Sequence, residues 1–154
     1  MRIALGATAG LAALVAVAAA IVWLGDDGGQ PQAADVVIEG NGSPAQGVAH
    51  FEQDGEQMTG FVVVWGLEPN SEHAVHFHGP GSRCGAKADP VAVHPDLKAD
   101  PNGVAYRRID LTAEQELVGG GFYYNVHAGP SRLADNPEIA CGDIAASRGE
   151  ASGG

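Results

Sequence analysis

The chain has 154 residues, with 19 acidic against 8 basic side chains, a formal net charge of −11 and two cysteines. Nothing in it makes a basic stripe, which argues against nucleic acid as a partner and against an electrostatic grip on anionic lipid. The balance suits a soluble domain working outside the cytoplasm.

Residues 3–24 are an almost unbroken run of Ala, Val, Leu, Ile and Gly, with Arg2 in front and Asp26 and Asp27 behind. That length suits a signal-peptide core or a single membrane anchor, in either case an N-terminal apolar helix. Residues 1–25 are therefore assigned to export, as signal peptide or anchor, and any membrane contact runs through this segment alone. Arg2 inside and acid outside orient the remainder away from the cytoplasm. Residues 26–34 are Asp, Gly, Gln, Pro and Ala, with little to bury, and read as a flexible linker. Residues 35–145 are enough for one domain. Residues 146–154 are Ser, Gly, Ala, Arg and Glu and read as a disordered tail.

The domain reads as all-β. Residues 35–39 form a short β-branched strand, broken by the turn chemistry of residues 40–44. Residues 47–53 make a second strand, and Asp54-Gly55 is a hairpin signal into a third over residues 57–67. A turn at 69–71 leads into a strand carrying His73, His76 and His78. Residues 79–102 are a long Gly- and Pro-rich stretch with little strand character, a length that usually serves a function. Residues 103–111 resume as a strand. Thr112 with Gln115 fits a capping box and predicts a helical turn over 112–118. Residues 121–127 and 137–144 complete a set of seven or so strands, the pattern of a β-sandwich or Greek-key barrel.

Three of the six histidines fall within residues 73–78. Side chains alternate along a strand, so His76 and His78 share a face and can chelate one transition metal, while His73, if it sits on the same extended segment, lies on the other face in a supporting role. A metal site has to recruit its remaining ligands elsewhere, and the candidates are His127, on a second strand that also ends in a Gly-Pro loop, and His94, in the long loop; the bland alternative is that these are ordinary strand and surface histidines. His50 has no role. Cys84 and Cys141 are an even pair in an exported domain and read as a disulfide, with buried free thiols the bland alternative. Closing so long a loop contributes about 4 kcal/mol in the chain-entropy picture.

From Val36 to Gly142 the sequence resembles the copper/zinc superoxide dismutase family. The resemblance is carried by Gln46-Gly47 with Phe51-Glu52-Gln53, by His73-Ala74-Val75-His76-Phe77-His78, by Asp100-Pro101-Asn102-Gly103-Val104-Ala105, by Asn125-Val126-His127 and by Ala140-Cys141-Gly142. It implies a Greek-key β-sandwich of that type, a copper ion on His76, His78 and His127, the disulfide Cys84–Cys141, and superoxide as substrate. His94 would be a further ligand and the proton shuttle. Monomer and homodimer both stay open.

The departures matter equally. The family's zinc-loop histidines are missing, so zinc is not expected and the implied centre is copper-only. Where the family places an arginine to hold the superoxide anion, three residues before the second cysteine, this chain has Glu138. Arg132 and Arg83 are the cations that could stand in, and Arg132 is given the substrate-guiding role. A second resemblance, of Gly121-Phe122-Tyr123-Tyr124-Asn125-Val126-His127 and Asn136-Pro137-Glu138-Ile139 to the chordin-type (CHRD) domain, implies instead a non-catalytic β module at the cell surface. It accommodates Glu138 but not the cysteines.

Overall fold

The computed structural model describes residues 31–145. The apolar segment with its expected helix and the C-terminal tail lie outside the described residues. Those described form ten strands and no helix: β1 (Gln32–Gly40), β2 (Gln46–Asp54), β3 (Gln57–Trp65), β4 (Glu72–His73), β5 (Val75–His78), β6 (Pro90–Val93), β7 (Leu97–Lys98), β8 (Ala105–Thr112), β9 (Phe122–His127) and β10 (Glu138–Ile144).

Eight of them make one curled antiparallel sheet in the order β6-β5-β9-β10-β1-β2-β3-β8, and β4 pairs with β7 apart from it. The sheet has two halves hinged on β1. Residues from Gln32 to Ile38 pair with β2, and Glu39 and Gly40 pair with β10. Strict alternation on β2 turns Ala49 and Phe51 inward, where they meet Val36 and Ile38 of β1, Met58, Val62 and Val64 of β3 and Ile109 of β8. From the other half, Val75, Phe77, Tyr124 and Val126 face the same core. Phe51 closes the gap, its ring 5.1 Å from Phe77 and 5.6 Å from Tyr124 between centroids. Aromatic pairs in such edge and tilted geometry add to their area burial.

Three expectations change. The linker ends earlier than residue 34, because β1 begins at Gln32. Ala33 and Ala34 pair with Glu52 and Phe51, and a fully buried Ala34 needs no β-branched side chain to hold a strand against so long a partner. The helical turn over 112–118 does not form. The buried side chain of Gln53 takes its place: Gln53 Oε1 accepts the N–H groups of Leu117 (2.7 Å) and Val118 (3.1 Å), and its Nε2 donates to the Gln115 carbonyl (2.8 Å). With those groups satisfied from outside, the segment keeps no helical bonds to cap. The stretch 79–102 contains β6 and β7, short strands that pair with β5 and β4.

Candidate metal centre

Alternation along β5 sets the site. Val75 and Phe77 turn to the core, so His76 and His78 turn to the outer face. Residues directly opposite in an antiparallel ladder share a face. His76 faces Asn125 and His78 faces Tyr123 on β9, and on β10 Cys141 faces Asn125, Asp143 faces Tyr123 and Glu138 faces His127. The register shift between Glu138 and Ala140 puts Glu138 and Cys141, three apart in sequence, on one face.

A loop covers this outer face. Residues 79–89 are pinned by the Cys84–Cys141 disulfide (Cα–Cα 5.4 Å), by Cys84 N–H donating to Asp143 Oδ1 (2.7 Å), and by Tyr123 O–H donating to the Ala86 carbonyl (2.7 Å). Gly79, at φ 146°, lets the chain leave β5 here, since a Cβ at that position would run into the Phe122 ring. Under the loop, His78 is buried and stacks on Tyr123, centroids 4.9 Å apart and planes within 13°.

His76, His78 and His127 converge. Each offers one ring nitrogen, and these three atoms lie within 4.8 Å of one another. Nitrogens sharing an ion at about 2.0–2.1 Å stand roughly 3.5 Å apart, so a contraction of at most about 1.3 Å completes a centre. The hydrogen bonds prepare it. His78 Nδ1–H donates to the Ala88 carbonyl (2.9 Å) and His127 Nδ1–H to the Asn136 carbonyl (2.5 Å), which leaves both Nε2 lone pairs free of their protons. His78 Nε2 is buried with no hydrogen-bond partner. A buried polar atom without a partner is costly, and a metal ion supplies one. His76 is held neutral, its pKa lowered to about 4 first by burial and then by the repulsion that a proton on His127 or His78 would exert on its own. The donor set therefore fits a transition-metal ion.

His73 is buried behind the site. Its Nδ1–H donates to the His127 carbonyl (2.7 Å) and its Nε2 lies 2.6 Å from Ser71 Oγ, so it fixes the chain that carries His127. His94 is not in the converging group. Ala92 faces Phe77 across β5–β6, and His94, two residues on, keeps to that face. Its ring stacks on Tyr124 (5.6 Å, 12°), its Nε2 accepts from the Tyr124 hydroxyl (2.7 Å) and its Nδ1–H reaches the Pro95 carbonyl (3.0 Å). Arg132 is exposed and bonded to Glu72 (3.0 Å). Arg83 lines a different surface hollow, with Phe122 and Asp143.

An open cavity of about 390 Å³ reaches the site, lined by His78, Lys87, Asp89, Tyr123, Asn125, His127 and Glu138 among others. Asn125 and Tyr123 had a sequence signal: each precedes His127 by an even number of residues and so shares its face. Lys87 had none, since only the fold of the loop brings it there. Among the described residues one other donor cluster exists, Cys84, Cys141 and Glu138, but its two sulfurs are joined to each other. No protein-family model matches the chain, and no curated protein matches it. The chemistry of the three imidazoles is therefore read from their own geometry.

Proposed function

We propose that this chain is an extracytoplasmic, copper-binding β-sandwich of the Cu/Zn superoxide dismutase type, and that it disproportionates superoxide. The observation that carries the reading is the convergence of His76, His78 and His127 from two strands distant in sequence. Three imidazole donors suit copper. The strand order supports the fold type: the chain crosses between the halves β1-β2-β3-β8 and β6-β5-β9-β10 after β3, on the way to β8 and again on the way to β9, as a Greek-key path would. The disulfide supports an oxidising compartment.

Bound copper supplies the one-electron exchange by which two superoxide ions and two protons become dioxygen and hydrogen peroxide. The chain's own part is to hold three lone pairs on one point, with His78 and His127 fixed through their Nδ1–H bonds. Lys87 is the cation on the cavity wall, placed to draw an anion inward against Asp89 and Glu138. His94 takes no ligand's role in this reading, because both its ring nitrogens are engaged elsewhere.

A second reading, a non-catalytic copper-binding or CHRD-like module, is favoured by Glu138 at the cavity and by Arg132 being spent on Glu72. One experiment separates them. Purified full chain is exposed to copper, its metal content is measured, and superoxide removal is assayed beside His78→Ala. Copper uptake with catalysis, both lost in the variant, supports the dismutase. Uptake without catalysis supports the module.

A further inference from the structure

The most tightly held polar side chain at the centre is an amide. Asn125 is 2% exposed. Its Oδ1 accepts from the backbone N–H of His76 (3.1 Å), and its Nδ2 donates both to His127 Nε2 (3.0 Å) and to Glu138 Oε2 (3.2 Å). Asn125 thus ties a half-buried carboxylate to the nitrogen that an ion would take. Glu138 sits opposite His127 in the ladder, on the same face, with the disulfide beside it.

An ion at the three imidazoles claims the lone pair of His127 Nε2. The Asn125 amide then loses that acceptor and keeps Glu138. Imidazole donates to an ion through an uncharged lone pair, so the ion's charge is uncompensated by such ligands, and among the described residues Glu138 is the carboxylate hydrogen-bonded into the group. Its attraction for a divalent ion is about twice that for a monovalent one at the same place. We infer that Glu138, acting through Asn125, is the residue that makes this centre prefer Cu(II) over Cu(I). The inference rests on the copper-binding reading above and adds what sets the oxidation state.

The test uses full-length chain, with Glu138→Gln, Glu138→Ala and Glu138→Asp. Copper(II) sulfate is titrated against a competing chelator, and Cu(I) is titrated against a Cu(I)-selective chelator with ascorbate present. Partners of a metal's own ligands typically change its affinity by about tenfold to a hundredfold. Glu138→Gln is expected to weaken Cu(II) binding about tenfold or more while Cu(I) affinity stays within about threefold. A tenfold change in the ratio is a rise of about 59 mV in reduction potential. Glu138→Ala moves the ratio in the same direction, which keeps the test intact should the glutamine variant not fold, and Glu138→Asp keeps most of the preference. Equal losses for both ions, or an unmoved ratio in the charge-removing variants, overturn this inference alone. A wild-type chain that takes up no copper overturns it together with the reading beneath it.

Discussion

His94 and His76 lie on opposite faces of the β5–β6 pair. Val93 faces His76 in the ladder, and His94 is the next residue, so a step of one turns its ring to Phe77 and Tyr124. The expected consequence is a sharp difference between two variants. His78→Ala abolishes copper retention and lowers stability by about 1–3 kcal/mol, through the lost bond to Ala88 and the lost stack on Tyr123. His94→Ala retains copper with affinity within about threefold of wild type, well short of the tenfold or greater loss expected at a ligand or its direct partner. Copper content after gel filtration, with thermal melts of both variants, checks this.

Acid should destabilise the metal-free protein. The pKa values of His76 and His94 are lowered to about 4 from the ordinary 6.5, in both cases chiefly by burial. Between those values the unfolded chain binds more protons than the folded one. The stability these rings contribute is therefore fully present above pH 6.5 and lost as the pH falls through about 4. A tenfold difference in proton affinity between the folded and unfolded chain corresponds to about 1.4 kcal/mol, before a discount for solvent at the partly exposed His76. His50 acts with the opposite sign: bonds to Asp35 and Glu52 raise its pKa, so its small, largely screened contribution is lost as the pH rises. Denaturant midpoints of the metal-free chain between pH 8 and 4 should fall on acidification, most steeply below 6.5.

Reduction of Cys84–Cys141 should loosen the site before it unfolds the domain. The bridge spans 57 residues, a closure of about 4 kcal/mol in the chain-entropy picture. It also pins the loop whose Ala88 carbonyl orients His78. Copper affinity is expected to fall at least about tenfold on reduction, as for other losses of ligand orientation. Competition titrations of the Cys84→Ser/Cys141→Ser variant measure it.

Lys87 should affect rate and not metal content. It lines the cavity, and among the described residues no carboxylate pairs with it. Lys87→Glu is expected to lower kcat/KM for superoxide by about tenfold at low salt, with less effect at high ionic strength and unchanged copper per chain. Stopped-flow rates at two salt concentrations check it.

Much of this was legible in the chain because period-2 alternation carries face as well as strand. It put His76 and His78 together, and Asp-Gly turn chemistry made the hairpin after Asp54 plain; His73 is set apart for another reason, because it lies on β4, paired with β7 outside the large sheet. What escaped the reading depended on pairing between distant segments. Parity kept His94 from the group, and parity is visible only once Val93 is known to face His76. Gln53 replaced a helical turn by bonding to residues 62–65 positions away. Lys87 entered the cavity on a loop shaped by a disulfide and by hydrogen bonds to Ala86 and Ala88, which no local pattern encodes.

The most direct measurement is X-ray absorption at the copper edge on the loaded full chain, beside the same measurement on His127→Ala. The account predicts three imidazole nitrogens at about 2.0 Å from copper in the wild type, with one of them lost in the variant. A wild-type spectrum lacking imidazole scattering, or one that His127→Ala leaves unchanged, would contradict it.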